Sequence, residues 1–340
     1  MASNGTPVDY TVRSRFAETG LRCPPAVAER VESLLTPYLS LTEGRVADGE
    51  WQVVSGEEPP AGATPESVRM PGEDAVGYAV DHAKRTLHHL APWDEAWATQ
   101  ALLRATRSAH RCAASRRGVV FLHAGLVDLD GMGVLLVGGS CSGKTSFITA
   151  SGLSGAGVMV SNDDVGLVSA PETGGLVGHG WPRSISMRLD TMRLLFGAER
   201  SDAIRAGLTH PANRTLLSLK ESGVEEHGTA LLYPWEYTEV VGTGIRRSAT
   251  VDAVVYLSLC DDSGGGFEVV PPGERDAAFA AHQLDAPNKN LNLFGYARDP
   301  EVVDATRAMA TRLPTYRFRY PFSNAYKEVG RLTTCLRQAG

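Results

Sequence analysis

Residues 25–38 carry apolar side chains at Val27, Val31, Leu34 and Leu35, the spacing of one helical face, and Pro24-Pro25 opens the run. An amphipathic helix is predicted there. Residues 50–54 and 75–80 read as strands, separated by a Glu-, Pro- and Gly-rich surface loop near residues 57–65. A long Ala- and Arg-rich helix is predicted over 93–117, and Arg116-Arg117-Gly118 closes it.

Beyond residue 118 the pattern changes to short β-branched and leucine-rich runs divided by Gly and Asp. Two strands, 118–129 and 134–137, flank Asp130-Gly131, a dipeptide suited to the positive φ angles of a tight hairpin. Further strands are predicted at 158–160, 166–168, 185–189, 251–259, 267–270 and 315–320, interleaved with helices at 144–150, 274–282 and 300–312. The expected architecture is an α/β fold with a mixed central sheet over residues 118–340, preceded by an α+β accessory region over residues 1–117.

Composition narrows the classes. The 340 residues are 43% apolar and 21% charged, which excludes disorder and collagen-like repeats and suits a globular chain of about two domains. The longest apolar stretches are broken by His123, Asp128 and Asp130, so none approaches the roughly 18 apolar residues of a membrane span. The N-terminus has neither a basic region nor an apolar core, and a cytoplasmic location is expected. Five well-separated cysteines without Cys-x-x-Cys spacing argue for reduced thiols rather than a disulfide framework or zinc knuckle. His88, His89 and His282 lack partners at metal-ligand spacing, so no zinc site is expected. A net charge of −6 without basic clusters argues against nucleic-acid binding.

The chemistry is concentrated in Gly138, Gly139, Ser140, Cys141, Ser142, Gly143, Lys144 and Thr145, an unbroken G-x-x-x-x-G-K-[ST] run with a strand before it and a helix after it. In such a loop, backbone amides converge on phosphate oxygens and the helix N-terminus adds its positive end. The lysine supplies a point charge for the β- and γ-phosphates. Thr145 can offer its hydroxyl to Mg²⁺, and Ser146 completes the predicted nucleotide contacts. Only five lysines occur in the chain, so Lys144 is informative. Cys141, beside a helix N-terminus, should have an acidified thiol.

Nineteen residues after Lys144, the apolar run 157–160 leads into Asn162, Asp163 and Asp164. A loop and helix of that length are expected to return the chain to a strand beside the phosphate-loop strand. Both acids would then emerge at the end of the sheet where phosphates bind. One can hold a metal while the other takes a proton from an attacking hydroxyl.

The stretch from Leu122-His123 through Asp128-Leu-Asp-Gly, the glycine loop and Asp163-Asp164 resembles the catalytic core of the HPr kinase/phosphorylase-like P-loop kinases. That resemblance covers about fifty residues, 119–168. It implies phosphate binding by residues 138–145, Mg²⁺ binding by Thr145 with Asp163, and a general base at Asp164. His123 corresponds to a family histidine beside the active site, able to orient or charge-balance a carboxylate; the alternative reading is an ordinary core histidine. Where the bacterial family continues with an Ile-Arg-Gly-type segment, this chain has Gly180-Trp-Pro-Arg183, and residues 1–117 show no resemblance to the family's N-terminal domain. A different acceptor from HPr is therefore expected.

Arg183, Arg188, Arg246 and Arg247 are candidate phosphate or acceptor clamps, Arg183 foremost, because planar guanidinium groups bind phosphate in bidentate fashion. Asp261-Asp262 before a glycine run reads as a hairpin tip, and residues 287–296 as a surface loop. The expected activity is ATP- and Mg²⁺-dependent phosphoryl transfer to a hydroxyl of a small metabolite: a sugar, a nucleoside or an amino-acid-derived intermediate. A serine kinase acting on a peptide or carrier protein is the nearest alternative. A regulatory ATPase switch and a non-catalytic nucleotide sensor are alternatives of other classes. The resemblance makes a homo-oligomer plausible.

Overall fold

The computed structural model describes residues 6–68, 76–90, 95–170, 174–213, 228–261, 264–281, 292–295 and 299–339. The chain divides into two compact units, one of residues 1–119 with 285–299, the other of residues 120–284 with 300–340.

The first unit is built on a seven-stranded sheet. Its strands are β1 (Val8–Arg13), β2 (Glu18–Cys23), β3 (Ser40–Glu43), β4 (Gln52–Ser55), β5 (Thr64–Val68), β6 (Val76–Asp81) and β7 (Thr86–His89), in the order β3-β1-β2-β4-β7-β6-β5. Helix α1 (Pro25–Leu35) buries Val27, Val31, Leu34 and Leu35, the stripe its spacing dictates. Helix α2 (Glu95–Ser115) is the long Ala/Arg helix. Strand β5 falls within and beyond the expected surface loop: it is an exposed edge strand containing Pro65, so its sequence lacks the apolar alternation that marks a half-buried strand.

Burial in this unit has a measurable consequence. His110 on α2 lies against the hydroxyls of Thr19 (3.1 Å) and Ser14 (2.8 Å), and burial pushes its pKa down to about 3. His89 on β7 is lowered to about 4 for the same reason. Below pH 6.5 the unfolded chain therefore binds protons that the folded chain does not, and stability is lost as pH falls from 6.5 toward 4. The expected slope is about 1.4 kcal/mol per pH unit for each histidine. Thermal unfolding followed across that interval should show a steeply falling midpoint; a flat profile would refute buried neutral imidazoles.

The second unit holds a nine-stranded mixed sheet. Its strands are β8 (Val120–Leu129), β9 (Met132–Val137), β10 (Gly157–Ser161), β11 (Asp164–Ala170), β12 (Gly175–Gly180), β15 (Ser248–Val251), β16 (Ala253–Cys260), β17 (Gly266–Val269) and β18 (Thr315–Pro321). The order is β15-β12-β11-β8-β9-β16-β18-β17, with β10 also on β8. Strands β9, β16 and β18 are mutually parallel and the remaining pairings are antiparallel. A separate pair is formed by β13 (Ile185–Arg188) and β14 (Thr229–Leu232).

Around the sheet lie α3 (Lys144–Leu153), α4 (Leu189–Phe196), α5 (Ala198–Gly207), α6 (Pro234–Val241), α7 (Pro272–Ala280), α8 (Pro300–Ala310) and α9 (Ala325–Ala339). One core joins Phe147 and Ile148 of α3 to Phe318, Tyr320, Val329 and Leu332, and a second joins Leu122, Val137, Val165 and Val254 to Phe279 and Ala310. No helix among the described residues is long and apolar enough to cross a membrane.

Three expectations change. The strand after α3 does not lie beside β9, because both edges of β9 are taken, one by β8 and the other by β16. The chain instead returns along the far edge of β8, where β10 and β11 pair in succession and Asn162-Asp163 fall at the break between them. The expected strand 251–259 is two strands split at Asp252. Its carboxylate accepts from the Gly133 amide (2.7 Å) and its own amide donates to the Gly133 carbonyl (2.8 Å). Asp261 is not at a hairpin tip, since β18 lies between β16 and β17; Asp262 lies outside the described residues. So do His282 and most of the 287–296 loop. The Asp130-Gly131 hairpin forms, with φ of 51° and 88°.

Candidate functional site

Strand β9 ends at Val137, and the next six residues turn the chain into α3 through two positive-φ positions, Cys141 (62°) and Gly143 (91°). At Gly143 a side chain is excluded by more than φ, because a Cβ there would strike the Tyr320 hydroxyl. That hydroxyl donates to the Gly143 carbonyl at 2.8 Å, so β18 supports the loop from below. Burial raises the Tyr320 pKa, keeping the donor protonated. Tyr320 lies 177 residues from Gly143, and nothing in its own neighbourhood marks this role.

Lys144 opens α3 and is only 6% exposed. Its Nζ donates to the carbonyls of Gly138 (2.6 Å) and Gly139 (3.1 Å) and lies 3.4 Å from His123 Nε2. Burial pushes its pKa down, opposed by the charge of Asp163. The Ser146 hydroxyl turns inward to Thr191 (3.1 Å), leaving its backbone amide as the group that can serve a ligand. Cys141 is exposed and its thiol is pushed down by hydrogen bonds from Ser140 and then Arg188, whose Nη1 is 3.4 Å from the sulfur. Arg188 thus borders the loop. Arg246 does not: it pairs with Asp128 at the far end of β8, about 16 Å of strand from His123.

The register brings the acids to the loop. Ala124 pairs with Val137 at the mouth of the loop, and His123 pairs with Asp164. His123 Nδ1 lies 3.2 Å from Asp163 Oδ1. Burial lowers the His123 pKa, against the pull of Asp163. The tautomer that satisfies both neighbours is therefore the neutral ring donating from Nδ1 to Asp163 and accepting from Lys144 at Nε2. His123 is half-buried between a lysine and an aspartate.

Arg183, between β12 and β13, spends its Nη1 on both acids, 2.9 Å from Asp163 Oδ2 and 3.1 Å from Asp164 Oδ1. Its pKa is raised, chiefly by the charge of Asp164. In this arrangement the guanidinium orders the carboxylates. Asp164 is the more buried of the pair, and donor atoms of His123, Asp163 and Asp164 lie within 4.8 Å of one another, a span one cation can bridge. The carboxylate oxygens and the Thr145 hydroxyl are hard donors that suit Mg²⁺, whereas a ring nitrogen already shared with Lys144 is a poor ligand for it. The residues present therefore fit a magnesium ion held through the acids.

Fold and site together define an α/β chain with mixed sheets, in which a glycine-rich strand-to-helix loop faces a paired-acid cluster. No protein-family model matches the chain, and no curated protein matches it. Among solved structures, it has a distant similarity to the HPr(Ser) kinase/phosphatase from Coxiella burnetii. The two are 14% identical, the match covers 64% of this chain and 97% of that one, and the TM-score is 0.30.

Proposed function

We propose that this chain is an ATP- and Mg²⁺-dependent kinase that transfers the γ-phosphoryl group to a hydroxyl of a small metabolite. The observation that carries the reading is His123 in contact with both the loop lysine and the first of two aspartates that share Arg183. A lysine for phosphate charge and two acids for metal and proton are thereby joined at one end of the sheet.

The loop amides of residues 138–146 hold the phosphates, and Lys144 exchanges its two carbonyl partners for phosphate oxygens. Asp163, the acid nearer Lys144 through His123, and Thr145 would hold the magnesium ion, which neutralises charge on the phosphate oxygens. Asp164 accepts the proton of the acceptor hydroxyl as its oxygen bonds to the γ-phosphorus and the bond to the β-phosphate bridging oxygen breaks, releasing ADP. Arg183 holds Asp164 in place, and His123 keeps Asp163 aligned with Lys144.

Incubation with γ-labelled ATP and Mg²⁺ against panels of sugars, nucleosides and hydroxy amino acids tests this. Label should pass to one class of small alcohol. Transfer only to a serine peptide would move the acceptor to a protein. Hydrolysis indifferent to every alcohol but stimulated by a partner protein would replace the kinase with a switch.

A further inference from the structure

Both cations of the site have partners of the chain's own where ligands belong. Lys144 rests on the Gly138 and Gly139 carbonyls, and Arg183 rests on the acids. The second contact is the more exclusive. A single nitrogen, Nη1, lies 2.9 Å from Asp163 Oδ2 and 3.1 Å from Asp164 Oδ1, so it bridges the two carboxylates. That is the position of a cation shared by the pair, since donor atoms of His123, Asp163 and Asp164 fall within 4.8 Å of one another. The other Asp163 oxygen faces His123 Nδ1 at 3.2 Å. Both oxygens of Asp163 are therefore in use. Each has two lone pairs, so the His123 contact can persist beside a metal ion, but a guanidinium and a divalent cation on the same oxygens repel each other.

Charge gives the reason for the arrangement. Asp163 and Asp164 are balanced by Lys144 and Arg183, with His123 neutral between them, so the cluster is satisfied without any added ion. A divalent ion alone would unbalance it. An ion carried by a triphosphate brings more negative charge than positive, and a guanidinium released from one acid then has an anion to meet. Arg183 is placed for that exchange: among the described residues its Nε and Nη2 have no partner, and its side chain is 39% exposed. The planar fork can keep Nη1 on Asp164 while its free edge turns to phosphoryl oxygens.

We infer that Arg183 holds the metal seat on the acids in the nucleotide-free chain, and yields Asp163 while keeping Asp164 when Mg²⁺ enters with the triphosphate. The acids then take up no divalent ion ahead of the nucleotide. The inference rests on the kinase reading above and deepens it by giving Arg183 a part in the order of binding.

Calorimetric titration with Mn²⁺, which shares the oxygen-ligand preference of Mg²⁺, tests this without turnover. In the absence of nucleotide, Arg183→Gln, which keeps a donor without the charge, should bind Mn²⁺ about tenfold or more tightly than the native chain. Arg183→Lys, which keeps the charge, should stay near the native value. Arg183→Ala takes the place of the glutamine variant if thermal unfolding shows that chain to be unfolded. The gain should disappear for the Mn²⁺ complex of the β,γ-imido analogue of ATP, because the phosphate contacts of the freed guanidinium are lost with it. An equal or weaker affinity for free Mn²⁺ in the uncharged variant would show that Arg183 only orders the acids, and would overturn the inference. Tightening of the free ion and the complex by the same factor would also overturn it, since Arg183 would then not yield. A native chain that does not bind the complex at all would instead remove the kinase reading, and this inference with it.

Discussion

Lys144→Ala should weaken binding of ATP with Mg²⁺ by about a hundredfold to a thousandfold, because it removes one or two charge-assisted hydrogen bonds to phosphate worth about 1.5–3 kcal/mol each. The ammonium is buried at the start of α3, and the carbonyls it now meets belong to the loop itself. Removing it leaves the phosphate charge uncompensated while the sheet and α3 keep their packing. Calorimetric titration, with thermal unfolding as the control for folding, measures both. An affinity within threefold of the native value would show that the loop does not seat a phosphate chain.

The second large effect separates the acids. Asp164→Asn keeps an oxygen for Arg183 but cannot take a proton, so phosphoryl transfer should fall by about 10²–10⁴ in kcat with nucleotide affinity nearly intact. Asp163→Asn should act differently: the Mg²⁺ concentration for half-maximal rate should rise, and added metal should recover part of the activity. The contrast follows from placement. Asp163 contacts His123, which contacts Lys144, whereas Asp164 is recessed in β11 and held by Arg183. If the two variants exchange phenotypes, the roles exchange with them; if both retain native rates, the acids take no part in transfer.

Helices α1, α2, α3, α7 and α8 were legible because helical spacing and end signals are local. Helix α1 follows from Val27, Val31 and Leu34, and the Asp130-Gly131 turn from its own dihedral demands. Strands β1 to β3, β5, β7, β12 and β14 were not read, and neither were helices α4, α5, α6 and α9. The short polar strands of the first unit gain their stability from neighbours in the sheet rather than from a pattern of their own. The split at Asp252 was illegible because its hydrogen bonds reach Gly133, 119 residues away. Among the arginines, the sequence put Arg183 foremost, but that it meets two acids while Arg246 meets Asp128 at the opposite end of β8 came from the tertiary structure.

The sequence by itself determined the loop, since a glycine at 143, a lysine at 144 and a hydroxyl at 145 act through backbone conformation and charge within eight consecutive residues. It also supplied the two acids. Only the tertiary structure decided that they reach the loop by way of β8 rather than beside β9, that His123 joins lysine to aspartate, and that Tyr320 supports Gly143. Those outcomes depend on which strands share an edge, and strand pairing is settled by the collective burial of side chains from the whole domain, a quantity that no single segment encodes.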